Sequence, residues 1–171
     1  RMATEAVALA KATAADPTAG LPDGGFAEEI PDLALFDAQD RNVALDARIE
    51  DAKRAEAAAR DFDPRIDNSE GSQASSGYAR VVYGNSLGFV GSYESASHGL
   101  FSEPLAREGD SMQRDYWMTS GRRLSDLEDA ASVGRKAAER AIRRLGGKSI
   151  KTCEAPVIFD GLTAPSLIGQ I

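Results

Sequence analysis

The feature of the sequence that most constrains the fold is an alternation of apolar and polar residues between positions 65 and 122. It is clearest in YARVVYGNSLGFVGSYESASHGLF, where Val81 and Tyr83 share one side of a strand and Phe89 and Tyr93 share one side of the next. A period of two residues is typical of β-strands, and GNSLG between the runs supplies the residues of a hairpin turn. The segment therefore predicts an antiparallel sheet.

Further stretches extend this sheet. Residues 65–73 and the alternating run 112–119 predict two more strands, which gives about four antiparallel strands or more. The apolar run EAPVIF at 154–159 has the character of a central strand.

Three segments outside the sheet have the residue spacing of helices. Residues 4–14 and 45–61 carry apolar residues at helical intervals. A third helix is predicted to begin at Ser125, whose side chain would cap it while Glu128 reaches back, and to end before Gly146. The expected fold class is α+β, with about three helices packed on the antiparallel sheet.

The chain of 171 residues is expected to form a single α+β domain, residues 1–171, cut from a longer polypeptide. Within it, residues 16–43 are acidic and rich in proline and glycine, and predict a long loop. Leu33, Leu35 and Phe36 are expected to pack this loop against the body of the domain.

Composition narrows the possible partners and the compartment. The net charge of −7 disfavours binding to nucleic acid, whose affinity depends on Lys and Arg neutralising phosphates. No apolar run approaches the ~20 residues that a membrane helix requires. The single cysteine, Cys153, excludes an intramolecular disulfide and is typical of a reducing compartment such as the cytoplasm.

The only histidine, His98, lies in the stretch SASHG and is the one candidate for a catalytic or metal site. A zinc site of the HExxH kind needs two histidines one helical turn apart, and a lone imidazole cannot supply them. A catalytic triad is formally possible with the nearby serines and an acid, but the chain has no nucleophile elbow. The residues considered for it are Ser95, Ser97, Ser102 and Asp115. We therefore predict no catalytic, metal-binding or cofactor-binding residue in this chain.

A set of motifs in fixed order gives the sequence a family resemblance from residue 65 onward. The motifs are RIDNSEG, GNSLGFVGSY, SASHGL, MQRDYWMTSGRRLSDLE, VGRKAAERAIRRLG and APVIF. Together they resemble the PmbA/TldE branch of the TldD/PmbA family, also called peptidase family U62 or "modulator of DNA gyrase". The positions that match the family pattern, without a known role, include Asn85, Gly88, His98, Arg114, Asp115 and Tyr116.

The resemblance implies a role in proteolysis carried out with a partner. Members of the family act as metal-dependent proteases in peptide maturation and antitoxin degradation, and the zinc is expected on a TldD-like subunit. By this resemblance the chain is a non-catalytic subunit that joins TldD in a heterodimer or larger assembly and meets unfolded peptide substrates, and DNA gyrase is a further candidate partner. Whether the chain itself counts as an enzyme stays open.

Two other functions stay open at this point. The chain could be an interaction module that binds gyrase or another protein without any role in proteolysis. It could also be a small hydrolase that uses Ser97 and His98, which would predict loss of turnover on changing the histidine.

Overall fold

A computed structural model describes residues 1–22 and 24–170 of the chain. The strands of these residues form one sheet. It has four strands: β1 (Ile66–Gly84), β2 (Val90–Glu108), β3 (Ser111–Arg114) and β4 (Trp117–Gly121). The order is β1-β2-β3, and β4 also pairs with β2, so that β1 forms one end of the sheet. β2 and β3 are antiparallel, with Leu105 opposite Arg114 and Glu108 opposite Ser111.

In the described part of the chain, four α-helices accompany the sheet. They are α1 (Met2–Ala12), α2 (Leu45–Arg60), α3 (Ala130–Arg143) and the single-turn α4 (Ala164–Ile168). The α+β class predicted from the sequence is confirmed, and so is the second helix, whose predicted range of 45–61 differs from α2 by one residue. No helix within residues 1–22 and 24–170 is long and apolar enough to cross a membrane.

The residues form two compact units, and β1 and β2 each contribute to both. One unit contains α2, α3 and residues 66–74 and 100–119 of the strand region. Its core consists mainly of small side chains, such as Ala55, Ala59, Val133 and Ala137, all fully buried. Small residues let α2 and α3 approach closely, and Leu100 and Ala106 of β2 complete this core.

The other unit contains α1, the hairpin of residues 75–99 and residues 120–127. The segment before α2 is tied to this hairpin at residues 35–41. The carbonyl oxygen of Leu35 accepts the Ala96 N–H at 2.8 Å. The ring of Phe36 lies 5.0 Å from that of Tyr78, and the Arg41 guanidinium lies over both rings.

The loop before α2 contains no helix or strand in residues 16–22 and 24–37, and a 3-10 turn (Ala38–Asn42) follows. Of the three residues expected to pack it down, Leu35 and Phe36 are half-buried. Leu33 is 66% exposed, so the expectation was wrong for that side chain.

The strands divide differently from the sequence prediction. Residues 65–73 and the run that begins at Tyr78 belong to one continuous strand, β1, within which Gly71 has a φ of 116°. Glycine tolerates this left-handed conformation, so the strand continues where the polar pattern is interrupted. The predicted strand 112–119 is broken at Asp115 and Tyr116 into β3 and β4.

Two other local predictions were wrong. The run 154–159 is irregular and exposed rather than a central strand. The cap of α3 is Asp129, whose side chain accepts the Ser132 N–H, whereas Ser125 lies in a separate 3-10 turn. An aspartate satisfies a free N–H group at a helix start as well as a serine does, so the capping pattern was ambiguous.

Candidate functional site

The six family-pattern residues named above lie in three places. Asn85 and Gly88 form the turn between β1 and β2, His98 lies on β2, and Arg114, Asp115 and Tyr116 follow one another at the end of β3. Each place performs a different physical task.

The turn is organised by the side chain of Asn85. Its Oδ1 accepts the N–H groups of Leu87 at 3.0 Å and of Phe89 at 3.1 Å. The Asn85 N–H in turn donates to the Phe89 carbonyl oxygen at 3.0 Å. Gly88 has a φ of 89°, a conformation that residues with a side chain rarely adopt. Both family-pattern residues of the turn therefore have a structural explanation.

His98 is buried and bonded to a neighbouring strand. Its Nδ1 lies 2.9 Å from the Ser76 Oγ on β1. Its Nε2 faces the Asp40 Oδ2 at 3.8 Å, and that oxygen accepts the Leu124 N–H at 2.8 Å. With the ring proton on Nε2, facing the carboxylate, Nδ1 accepts a hydrogen bond from the Ser76 hydroxyl.

This cluster does not support hydrolytic chemistry with the residues that the sequence suggested. The serine beside the imidazole is Ser76, whereas Ser102 instead bonds Ser72 at 2.9 Å. The carboxylate nearest to the imidazole belongs to Asp40, at a distance longer than a hydrogen bond. Asp115, the acid considered for a triad, binds Arg140 instead.

A zinc ion does not fit the described residues. The only imidazole has one ring nitrogen on Ser76 and the other facing a single carboxylate. Across residues 1–22 and 24–170 no group of three or more His, Cys, Asp or Glu side chains could hold a metal ion. A structural zinc site takes four ligands and a catalytic one at least three from the protein.

The third place is an open cleft, with a volume of about 440 Å³, at the end of β3. We call it the β3 cleft. Three acidic side chains and two arginines line it together with four uncharged residues. The lining residues are Glu70, Glu103, Asp115, Arg114, Arg144, Leu105, Met112, Gln113 and Tyr116. It is the one place where three family-pattern residues meet.

Asp115 is the fixed acidic group of the β3 cleft. It is buried, and its Oδ1 accepts the Tyr116 N–H at 2.8 Å and the Arg140 Nε–H at 3.3 Å. Burial of Arg140 opposes its charged form, but hydrogen bonds and charges from Asp160 and Asp115 outweigh burial and raise its pKa. Arg140 therefore stays a cation and keeps the carboxylate of Asp115 in place.

The two arginines of the cleft are held loosely. Arg114 contacts Glu70 at 3.3 Å and Glu103 at 3.7 Å, and its side chain is 61% exposed. Arg144 lies 3.7 Å from the Asp115 Oδ2, and its side chain is 56% exposed. Contacts of 3.7 Å are longer than hydrogen bonds, so these guanidinium groups keep N–H donors available for a ligand.

Leu105, Met112 and Tyr116 add apolar atoms to the lining of the cleft. Leu105 is buried, and the Tyr116 ring lies 5.4 Å from that of Phe101, which fixes its orientation. A cleft that combines an apolar patch with several charged groups is suited to binding and orienting a ligand.

Sequence reasoning did not identify several of these groups. Arg140 lies in the last turn of α3 and Arg144 is its C-cap residue, where basic side chains are common because they complement the helix dipole. Their spacing of four residues was the available signal, because it places both on one face of the helix. For Asp40 and Ser76 the sequence carries no such signal, because their meeting with His98 depends on the tertiary fold.

Comparison with known proteins agrees with the fold and the motifs. Residues 39–145 match the family of the PmbA/TldA metallopeptidase central domain. Among curated proteins, the chain is 41% identical over its whole length to the metalloprotease PmbA of Escherichia coli O157:H7, of which it spans 38%.

Two solved structures have the same fold. One is described as a modulator of a DNA gyrase from Thermotoga maritima, with a TM-score of 0.65 and 22% identity, covering 75% of this chain and 28% of that one. The other is TldE from Thermococcus kodakarensis, with a TM-score of 0.62 and 19% identity, covering 81% of this chain and 30% of that one.

Proposed function

The chain belongs to the PmbA/TldD metallopeptidase family, and on that premise we propose that it is part of a non-catalytic subunit that works with a TldD-type zinc protease in the cytoplasm. In this role it holds unfolded peptides for a partner that cleaves them. The zinc and its ligands belong to that partner. Peptide maturation and antitoxin degradation are the processes that such a pair would serve.

The observation that carries this proposal is the outer edge of β1, with which no other strand of residues 1–22 and 24–170 pairs. This strand lies at the end of the sheet, and each residue from Ser75 to Gly84 is exposed. An extended peptide can add to such an edge as a further strand. Its affinity then comes from backbone hydrogen bonds, which suits a protein that accepts peptides of many sequences.

The register of the hairpin identifies which backbone N–H groups of β1 could form hydrogen bonds to an added peptide strand. Asn85 and Phe89 form a hydrogen-bonded pair at the turn, and Ser76 opposite His98 keeps the same register further along β1. Hydrogen-bonded and non-hydrogen-bonded pairs alternate in an antiparallel ladder. The even-numbered residues near the turn, such as Val82, therefore direct their N–H groups away from β2.

The experiment uses the full-length protein, mixed with its zinc-bearing partner and a fluorescently labelled unfolded peptide. Val82→Pro removes one outward N–H and keeps the ladder to β2. We expect it to weaken peptide binding, measured by fluorescence anisotropy, while the two subunits still co-purify. Val82→Ala is the matched control, because it shortens the same side chain and keeps the N–H. Equal binding by the proline and alanine variants would contradict the proposal.

A second candidate function follows from the structural relative described as a modulator of a DNA gyrase. In that case the chain is an interaction module for gyrase, with no part in proteolysis. Affinity purification of the full-length protein separates the two. Recovery of a zinc-bearing TldD-like subunit supports the first function, and recovery of gyrase without that subunit supports the second.

A further inference from the structure

We infer that the β3 cleft is a binding site for the C-terminal carboxylate of a peptide that ends in an apolar residue. The inference rests on the proposed function in one respect, since that function supplies peptides as ligands. The recognition itself depends only on the groups that line the cleft.

The guanidinium groups of the cleft are suited to a carboxylate. Arg144 and Arg114 both line it. Arg144 lies 3.7 Å from the Asp115 carboxylate, which is too long for a hydrogen bond, whereas Arg114 donates one hydrogen bond to Glu70 at 3.3 Å and lies 3.7 Å from Glu103. A planar carboxylate matches the donor pattern of a guanidinium, and such charge-assisted bonds are among the stronger ones in proteins. A ligand carboxylate would therefore gain bonds that the protein leaves unmade.

The acidic neighbour of Arg144, Asp115, affects how this arginine can bind a ligand. The Asp115 Oδ1 already accepts hydrogen bonds from Arg140 and from the Tyr116 N–H, and these bonds fix the carboxylate in position. It lies beside Arg144 without closing a hydrogen bond to it. Arg144 is thus oriented by a carboxylate and can still donate to a second one.

The apolar surface explains why the ligand should end in an apolar residue. Leu105 and Met112 line the cleft beside Tyr116, and Met112 is 51% exposed. A leucine-like side chain placed there would remove apolar surface from water on both partners.

The test begins with two small probes and the full-length protein. N-acetyl-leucine carries the carboxylate and the apolar side chain, and N-acetyl-leucinamide differs only in lacking the charge. We expect the acid to bind about tenfold more tightly than the amide, as measured by calorimetry or ligand-detected NMR. Arg144→Gln should remove this preference. Arg143→Gln is the matched control, because the neighbouring arginine does not line the cleft, and it should retain the preference.

A second experiment distinguishes binding of a small free carboxylate from binding of the C-terminus of a peptide. A labelled peptide ending in leucine is compared with the same peptide amidated at its C-terminus, and the free acid should bind more tightly. Failure of N-acetyl-leucine to bind, or equal binding of acid and amide, would overturn the inference. Failure of the strand-edge proposal gives a different result, in which Val82→Pro leaves peptide binding intact while the preference for the acid persists.

Discussion

Gly134 of α3 lies against the backbone of Ala55 in α2 so closely that a Cβ at position 134 would stand 2.0 Å from the Ala55 carbonyl oxygen. The two helices therefore meet backbone to backbone at this point. Only glycine leaves enough room, which explains why the apolar face of α3 is interrupted by a residue with a poor helix propensity.

A side chain at this position should destabilise the protein. Gly134→Ala is expected to lower the free energy of unfolding by about 3 kcal/mol, because the backbone of α2 must move to admit one methyl group. Urea denaturation followed by circular dichroism measures the change. Gly161→Ala serves as the control, since a Cβ there meets no atom within 4 Å and should have little effect.

The start of α3 provides a second prediction. Asp129→Ala should lower the melting temperature, because the Asp129 side chain accepts the Ser132 N–H and the carboxylate also pairs with Arg54. Ser125→Ala should leave it nearly unchanged. A larger effect at Ser125 than at Asp129 would show that the helix begins where the capping pattern suggested.

The buried imidazole provides a third prediction. Ser76→Ala leaves the Nδ1 of His98 without its hydrogen-bond partner, at a cost of about 1 kcal/mol of unfolding free energy. Ser97→Ala, next to the histidine but exposed, should cost much less. Similar losses in the two variants, measured by denaturant titration, would mean that the bond contributes nothing to stability.

A fourth prediction concerns the dependence of stability on pH. Hydrogen bonds from Arg65 lower the pKa of Asp63 from 3.8 to about 2. Because the folded-state pKa is the lower one, the ionised carboxylate stabilises the fold above pH 3.8, and this contribution is lost as the pH falls towards 2.

The measurement is an NMR titration of the Asp63 carboxyl carbon. Arg65→Gln should return the pKa of Asp63 towards 3.8 and remove this part of the acid sensitivity. Arg60→Gln is the control, because Arg60 pairs with Glu56 and not with Asp63. An unchanged titration in the Arg65 variant would contradict the assigned cause.

Local sequence patterns were sufficient to predict those elements whose residue preferences are contained within a short stretch of the chain. The alternation around Val81 predicted strands, and the apolar spacing from Leu45 predicted α2, because each pattern repeats with the period of its element, two residues for a strand and about 3.6 for a helix. The turn at Asn85 was predictable as well. Its Asn and Gly residues have conformational preferences that do not depend on the rest of the chain.

The features that the sequence did not predict depend on tertiary contacts between segments that are far apart in the chain. The run at 154–159 has the composition of a buried strand, but composition does not specify a neighbour. Gly71 interrupts the pattern of β1 without ending the strand, because a single left-handed residue can be absorbed as an irregularity in the ladder. The three lining residues Arg114, Asp115 and Tyr116 were recognised by resemblance alone, and the role of Arg144 beside them required the fold.

The position of the Asn85 turn has a consequence for folding kinetics. The turn closes a loop of only a few residues, whereas the bond between the Arg107 N–H and the Arg65 carbonyl oxygen joins residues far apart in sequence. Closing the short loop first costs the least chain entropy, and each pair formed then shortens the next loop. The pairing of β1 with β2 should therefore begin at the Asn85 turn and proceed towards Arg65. Replacing Asn85 should slow folding, whereas changes near Arg65 should mainly speed unfolding.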